Sequence, residues 1–372
     1  MGRRKALLPL DGRTALERSI TLFRKNGIRD IVVVTGHRSA ELVAFLATFP
    51  VQKTYNPHYH RGMFSSVQTG VAGLKQNSRG FFLLPVDIPL VRPATVARLV
   101  RAFTRDPGCI IYPCFQDRRG HPPLIPAGLI PGIRDWTGKD GLRGFLAGHA
   151  ARARNIEFAD RFVCMDMDSP ADYRQLQAES RRQDIPNAAE CRGMLASLFA
   201  VSADIRAHSH RVAEVALALG GALLLVGEDL DLELLHAGAM LHDIAKGHPD
   251  HAGLGGQWLA AMGFKRVAAV VAAHTDMEFT DLSCIGEKEI VYLADKLVDG
   301  DALVTLHQRF ESALQRHGHR PQARSRIIRR RAAAQSIVRA IEERIGRKLA
   351  AVLPQAQNSM RRTLPLCETV GP

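Results

Sequence analysis

The chain has 372 residues, 46% hydrophobic and 23% charged, the proportions of an ordinary globular protein with room for two cores. Its six cysteines include no CxxC pair, which argues against a structural zinc site and against a disulfide framework; no apolar run spans a bilayer, and the apolar stretch in the basic start MGRRKALLPLDG is too short for a signal segment. The net charge of +13 is concentrated in residues 316–348, where 11 Lys/Arg face two Glu for a local +9, so it reads as a solvated helix face and no nucleic-acid partner is expected.

In chain order, the first half alternates apolar strand runs with helical patterns. Residues 31–35 (IVVVT) end at Gly36, and 81–86 (FFLLPV) end at Asp87; 109–112 and 162–165 are two further strand runs. Helical spacing lies between them at 15–26, 40–46, 65–74 and 94–103. The alternation predicts an α/β, Rossmann-like domain with a mostly parallel sheet covered on both faces, its ligands at the carboxyl ends of the strands. Near 183–188 (QDIPNA) the pattern changes, and 181–193 reads as a linker. Helical patterns at 194–202, 205–219, 231–244, 254–262, 267–273 and 286–300 then predict an all-α bundle. Val338, Ile341, Ile345, Leu349 and Val352 share one helical face that Pro354 ends. The expected organisation is an α/β domain over 1–180, the linker, a helical domain over 194–315, a basic helical extension over 316–354 and a tail without structure over 355–372.

Six short segments of the first half carry chemistry. They are MGRRKALLP at the start, Asn56-Pro57 with Gly62-Met63-Phe64-Ser65-Ser66, Pro85-Val86-Asp87-Ile88-Pro89, Gly120-His121-Pro122, residues 138–143 ending at Arg143, and Asp166-Met167-Asp168-Ser169-Pro170-Ala171-Asp172. In this order they resemble the signature of the molybdenum-cofactor cytidylyl- and guanylyltransferase group of nucleotidyltransferases, over roughly residues 1–175. The resemblance implies attack of a phosphorylated acceptor on the α-phosphorus of a nucleoside triphosphate, CTP or GTP, with loss of pyrophosphate. The attacking oxygen is already anionic, so the site needs positioning and charge neutralisation more than a base. Asp87, with Asp168 or Asp166, would hold Mg²⁺, and Lys5 would neutralise triphosphate oxygens. Asn56, Gly62, Met63, Ser65, Ser66 and Arg143 would contact nucleotide or acceptor, and His121 would shape the acceptor pocket. One departure stands out. The family's first strand and Gly-rich LAAGxSxR turn, which present backbone N–H groups to phosphates, are absent, so the core is expected to lie open. Either the protein begins upstream of this methionine, or the domain is truncated and its transfer activity weak.

The second half carries His208-Ser209-His210-Arg211-Val212-Ala213, His242-Asp243 within MLHDIAK, and Asp295 within IVYLADK. Buried His and Asp inside apolar helices are costly unless they have partners. Two imidazoles and two carboxylates form a mixed nitrogen–oxygen set suited to Mn²⁺, Fe²⁺, Ni²⁺ or Mg²⁺. The order His208, His242-Asp243, Asp295 resembles the HD phosphohydrolase superfamily over about 195–315; His274 and the YLAD run resemble its group that cleaves dinucleoside polyphosphates. The resemblance implies metal ligation by those four residues, with His251 and His274 completing a second metal or binding phosphate, and Lys246 contacting substrate phosphate.

The combined expectation is a bifunctional cytoplasmic enzyme, a nucleotidyltransferase toward a molybdopterin-type acceptor joined to a metal-dependent phosphohydrolase, with a molybdoenzyme or its maturation factors as protein partners and no membrane association. Two alternatives stand beside it: a sugar- or alcohol-phosphate nucleotidyltransferase with the same helical domain, and a nucleotide or cofactor sensor in which only the helical site is active.

Overall fold

The computed structural model describes residues 4–37, 39–277 and 282–353. The expected tail over 355–372 and the first three residues lie outside them. The chain divides into two compact units, 1–198 with 261–264, and 199–260 with 265–372.

The first unit opens with a hairpin, β1 (Pro9–Leu10) and β2 (Arg13–Thr14), turned through Asp11 and Gly12 at positive φ. Helix α1 (Ala15–Lys25) follows, its first turn capped by Thr14, whose hydroxyl accepts from Glu17 N–H. Then come β3 (Val32–Thr35), α2 (Ala40–Leu46), β4 (Gln52–Tyr55), α3 (Met63–Ala72), β5 (Gly80–Phe82) and α4 (Pro93–Arg105). Strands β6 (Ile110–Phe115), β7 (Arg118–Arg119) and β8 (Leu124–Pro126) precede α5 (Ile130–Asp135), α6 (Gly141–Ala147), β9 (Ala153–Glu157), α7 (Pro170–Ser180) and α8 (Ala188–Gly193).

The unit is α/β, as expected, but its pairing is mixed. Parallel contacts join β3 to β4 and β6 to β9, whereas β5, β8, β6 and β7 pair antiparallel. The cause is the tight turn at Gln116 and Asp117, both at positive φ, which starts the return leading β8 between β5 and β6. Among the described residues β3 and β5 share no partner strand. Between them lies a groove of about 810 Å³, lined by Val32 and Val34 on one side, Phe82 and Leu84 on the other, with Ile20 of α1 and Val71 of α3. The sheet is thus divided, with β3 and β4 on one side of the groove and the antiparallel set on the other.

Two local readings are corrected. Residues 162–165 form no strand: Arg161–Cys164 is a buried 3-10 turn. The strand beside β6 is β9, whose sequence ARNIE is half exposed and hides its edge position behind polar residues. Residues 181–193 also do more than link. Asn187 and Glu190 form a reciprocal capping box for α8. The Glu190 carboxylate is fully buried, accepting from Arg92 Nη1 at 2.6 Å, from Arg161 N–H at 2.8 Å and from the Arg161 guanidinium. The polar stretch 183–190 (QDIPNAAE) gave no sign of that burial.

The second unit is helical: α9 (Ala203–Leu224), α10 (Leu232–Leu241), α11 (His251–Ala261), α12 (Lys265–Ala273), α13 (Glu287–Lys296), α14 (Leu306–His317) and α15 (Pro321–Ile345), with one short hairpin, β10 (Val298–Asp299) and β11 (Ala302–Leu303). Val212, Ala216, Leu219 and Leu223 place one face of α9 in the core. Asp231 caps α10, accepting from Leu234 N–H at 3.2 Å. At Gly238 the backbone of α10 meets Val270 of α12 so closely that an added Cβ would lie 2.6 Å from Val270 Cγ1. Helix α15 ends at Gly346, in the left-handed region at φ 66°, eight residues before the expected stop at Pro354. Part of its charge is consumed by ion pairs, Arg330 with Asp276 at 2.6 Å and Arg344 with Glu228 at 2.8 Å.

Candidate functional site

The helices of the second unit bring six chemistry-bearing residues together. His208 comes from α9, His242 and Asp243 follow the end of α10, His251 starts α11, His274 follows α12, and Asp295 lies near the end of α13. His242, Asp243, His274 and Asp295 are buried. Backbone carbonyls fix three of the four imidazoles. His208 Nδ1 lies 2.8 Å from Gly300 O, His242 Nδ1 2.7 Å from Ala239 O, and His274 Nδ1 2.6 Å from Val271 O. A proton on each Nδ1 satisfies those carbonyls and turns each Nε2 toward the carboxylates, the arrangement that orients metal-ligating histidines.

Those Nε2 atoms converge on the two carboxylates. His208 Nε2 is 3.2 Å from Asp295 Oδ1 and 3.9 Å from Asp243 Oδ2. His242 Nε2 is 3.5 Å from both the same oxygens. On the other side of Asp243, Oδ1 lies 3.3 Å from His251 Nε2 and 3.6 Å from His274 Nε2, and those two nitrogens are 3.2 Å apart. Asp243 therefore faces one ligand group with each oxygen: His208, His242 and Asp243 form one group within 4.8 Å, Asp243, His251 and His274 another. His242 Nε2 and Asp243 Oδ1 are buried and, among the described residues, make no hydrogen bond. An unpaired buried polar atom costs about 1–3 kcal/mol, which a divalent cation at this nitrogen–oxygen set would offset. The residues present thus fit a metal.

The electrostatics follow from the same packing. Burial disfavours charge on His242, but Asp243 and Asp295 outweigh it and push its pKa up to about 10. Burial opposes ionisation of Asp243 as well, yet His242 with His251 and His274 holds it far below the usual carboxylate range. Burial lowers His274 to about 4 against the pull of Asp243. Asp295 is also held well below its ordinary value, because Lys296, His208 and His242 overcome its burial. Lys246 Nζ donates to Asp243 Oδ2 at 2.8 Å and its side chain is 48% exposed, placing a cation at the solvent side of the cluster. His210, two residues beyond His208, is exposed. The sequence reading missed Lys296, whose signal was a lysine inside the apolar IVYLADK run.

The first unit gathers its expected residues more loosely. Lys5 Nζ donates to Asp168 Oδ1 at 2.7 Å, a bond that raises the ammonium's pKa with help from Asp87 and Asp166. Burial raises Asp87, opposed by Lys5. Asp87, Asp166 and Asp168 are thus electrostatic neighbours, but among the described residues they form no ligand group of three within 4.8 Å. Asn56 is fully buried and turned inward: its amide donates to Ser65 Oγ at 2.9 Å and Ser66 Oγ at 3.0 Å, and its carbonyl accepts from His58 N–H. It braces the loop expected to meet substrate, and its own polar atoms are committed. Gly62, at φ 92°, turns the chain into α3, leaving Met63 73% exposed. His121 is kept neutral by burial, with Nδ1 buried and unbonded among the described residues. Arg143 is exposed on α6.

Comparison with known proteins agrees with this division. A family described as "MobA-like NTP transferase domain" matches residues 1–153, and one described as "HD domain" matches residues 205–299. The "Nicotine blue oxidoreductase" of Paenarthrobacter nicotinovorans is 30% identical over 173 residues, 44% of this chain and 83% of that protein. The "Bifunctional IPC transferase and DIPP synthase" of Rubrobacter xylanophilus is 36% identical over 103 residues, 27% of this chain and 23% of that protein. Among solved structures, a nucleotidyl transferase from Methanothermobacter thermautotroptrophicus is 21% identical, with 48% of this chain and 85% of that one covered and a TM-score of 0.42. The chain therefore belongs to the MobA-like NTP transferase family through its first half, and joins that domain to an HD domain in its second.

Proposed function

We propose that the HD half is a metal-dependent phosphohydrolase with two cation positions, one on each oxygen of Asp243. The observation that carries this reading is the pair of ligand groups sharing that carboxylate, with three imidazoles locked by backbone carbonyls so that each presents Nε2. His208, His242, Asp243 and Asp295 would hold one cation, and Asp243, His251 and His274 the other. Mn²⁺, Fe²⁺, Ni²⁺ or Mg²⁺ at these positions would polarise a phosphoryl oxygen and lower the pKa of water. The chain's own work is to fix the ligands, keep both carboxylates ionised against burial, and offer Lys246 to an anionic phosphate at the exposed side. Phosphate release from phosphomonoesters, ATP and dinucleoside tetraphosphates in Mn²⁺ is the test. Release that disappears in Asp243→Ala supports the reading, and a Mn²⁺-loaded chain inert toward all three sinks it.

The first half, by its family, handles a nucleoside triphosphate. The finer reading is transfer from CTP or GTP to a phosphorylated acceptor of molybdopterin type, with Asp87 and Asp168 holding Mg²⁺ and Lys5 meeting the triphosphate, and with a molybdoenzyme or maturation factor receiving the product in the cytoplasm. Among the described residues no helix is long and apolar enough to cross a membrane. The open groove between β3 and β5 favours a second reading, in which this unit binds nucleotide without turning it over. Pyrophosphate release from CTP or GTP with a phosphorylated acceptor separates the two. Activity lost in Asp87→Ala supports transfer, and nucleotide binding without release supports the sensor.

A further inference from the structure

Among the described residues Lys296 is the one buried lysine, and nothing in the proposed chemistry uses it. Its Nζ donates to Asp295 Oδ2 at 2.7 Å and to the backbone carbonyl of His274 at 2.8 Å, and it lies 4.3 Å from the centroid of the Tyr292 ring. Those bonds reach both ligand groups. Asp295 belongs with His208 and His242, and His274 belongs with His251. A buried ammonium needs about three acceptors or a π-face to replace water, and the two oxygens and the ring supply them. The Tyr292 hydroxyl in turn donates to Arg330 O at 3.1 Å, so the ring under the ammonium is itself held by α15.

We propose that Lys296 is a positioning residue for the metal site, joining its two halves. By occupying Asp295 Oδ2 it leaves Oδ1 alone to face His208 and His242, and by holding the His274 carbonyl it fixes the turn that delivers His274 Nε2 to Asp243. The proposal rests on the metal reading above. It also differs in sign from its simplest alternative. A lysine acting only as a nearby positive charge repels a cation, so its removal tightens metal binding. A lysine acting by position weakens binding when it is lost, by the roughly 10–100-fold typical of groups that orient metal ligands.

The test is Mn²⁺ binding to the full chain by calorimetry, comparing the unsubstituted protein with Lys296→Met, alongside thermal unfolding without metal. A Kd raised at least about tenfold in a variant that folds is the expected result. An unchanged or lowered Kd overturns the proposal, even if the metal-free variant melts earlier. Should Lys296→Met not fold, Lys296→Arg keeps the charge and alters the geometry: weaker Mn²⁺ binding supports positioning, and an unchanged Kd overturns it. Failure of the unsubstituted chain to bind Mn²⁺ overturns the metal reading and this proposal together, whereas binding with no response to either variant overturns this proposal alone.

Discussion

Replacing His251 with alanine should remove one metal and leave the other. His251 Nε2 lies within reach of Asp243 Oδ1 and His274 Nε2, at 3.3 and 3.2 Å, and of neither His208 nor Asp295 in any bond or ion pair among the described residues. Its side chain is 22% exposed at the start of α11, so truncation opens no sealed cavity and should cost under about 1 kcal/mol of stability. Metal content, measured by elemental analysis after Mn²⁺ loading and gel filtration, should fall from two per chain toward one. Asp243→Ala removes the carboxylate common to both groups and should empty both. If the second cation contributes about 4 kcal/mol to the transition state, its loss slows phosphate release about 10³-fold. The reasoning fails if His251→Ala retains two metals, or if Asp243→Ala retains either.

Three further outcomes follow from the packing. Glu190→Gln leaves Arg92 only Asp160 and Arg161 only Glu179 as counter-charge in a buried network, so urea unfolding should show a loss of about 1–3 kcal/mol. Burial opposes ionisation of Glu190, but Arg92 and Arg161 hold its folded pKa below 4.5, so its stabilisation is complete above that pH and is lost as pH falls through the lower folded value; Asp160, raised by burial, works in the opposite direction. The acid-side fall in stability should therefore flatten in Glu190→Gln. Gly238→Ala drives a Cβ to 2.6 Å from Val270 Cγ1, and should lower thermal stability by about 1–3 kcal/mol. Hydrogen exchange should be faster in β3 and β5, whose edges border the groove, than in β6, which has strands on either side; equal protection would contradict the divided sheet.

The helical half was readable because its clustered His and Asp residues sit inside strongly periodic apolar segments. His242-Asp243 in MLHDIAK and Asp295 in IVYLADK are polar interruptions with no packing use, and the helices around them follow 3.6-residue spacing. Lys296 sits in the same run but resembles an ordinary helix-terminal lysine; only the positions of the Asp295 carboxylate and the His274 carbonyl distinguish it. In the α/β half, apolar runs located β3 and β6, but strand direction is not encoded in hydrophobicity. The return through β8 depends on two positive-φ residues, Gln116 and Asp117, that carry no glycine to announce the turn. The run at 162–165 was misread because buried 3-10 turns and buried strands share the same short apolar composition. The burial of Asn56 and its bonds to Ser65 and Ser66 are tertiary facts that its place in the sequence did not announce.

The two sites differ in how far they are assembled, and the difference matches the metals each would use. A cation held wholly by protein needs its ligands in place beforehand, and the HD unit supplies two groups of three within 4.8 Å. Mg²⁺ in nucleotide chemistry takes one or two carboxylates from protein and the rest of its shell from phosphates and water. Loosely gathered Asp87, Asp166 and Asp168, with Lys5 bound to Asp168, would suit the site of that kind proposed above before nucleotide arrives. Cation binding at the first unit should then depend on nucleotide. In Asp243→Ala, which removes the carboxylate shared by both HD groups, Mn²⁺ titrated alone should bind weakly or not at all, and addition of CTP or GTP should create one site that Asp87→Ala abolishes. Tight nucleotide-independent binding in Asp243→Ala would mean that the carboxylates near Lys5 form a metal cage of their own, and the contrast drawn between the two sites would be wrong.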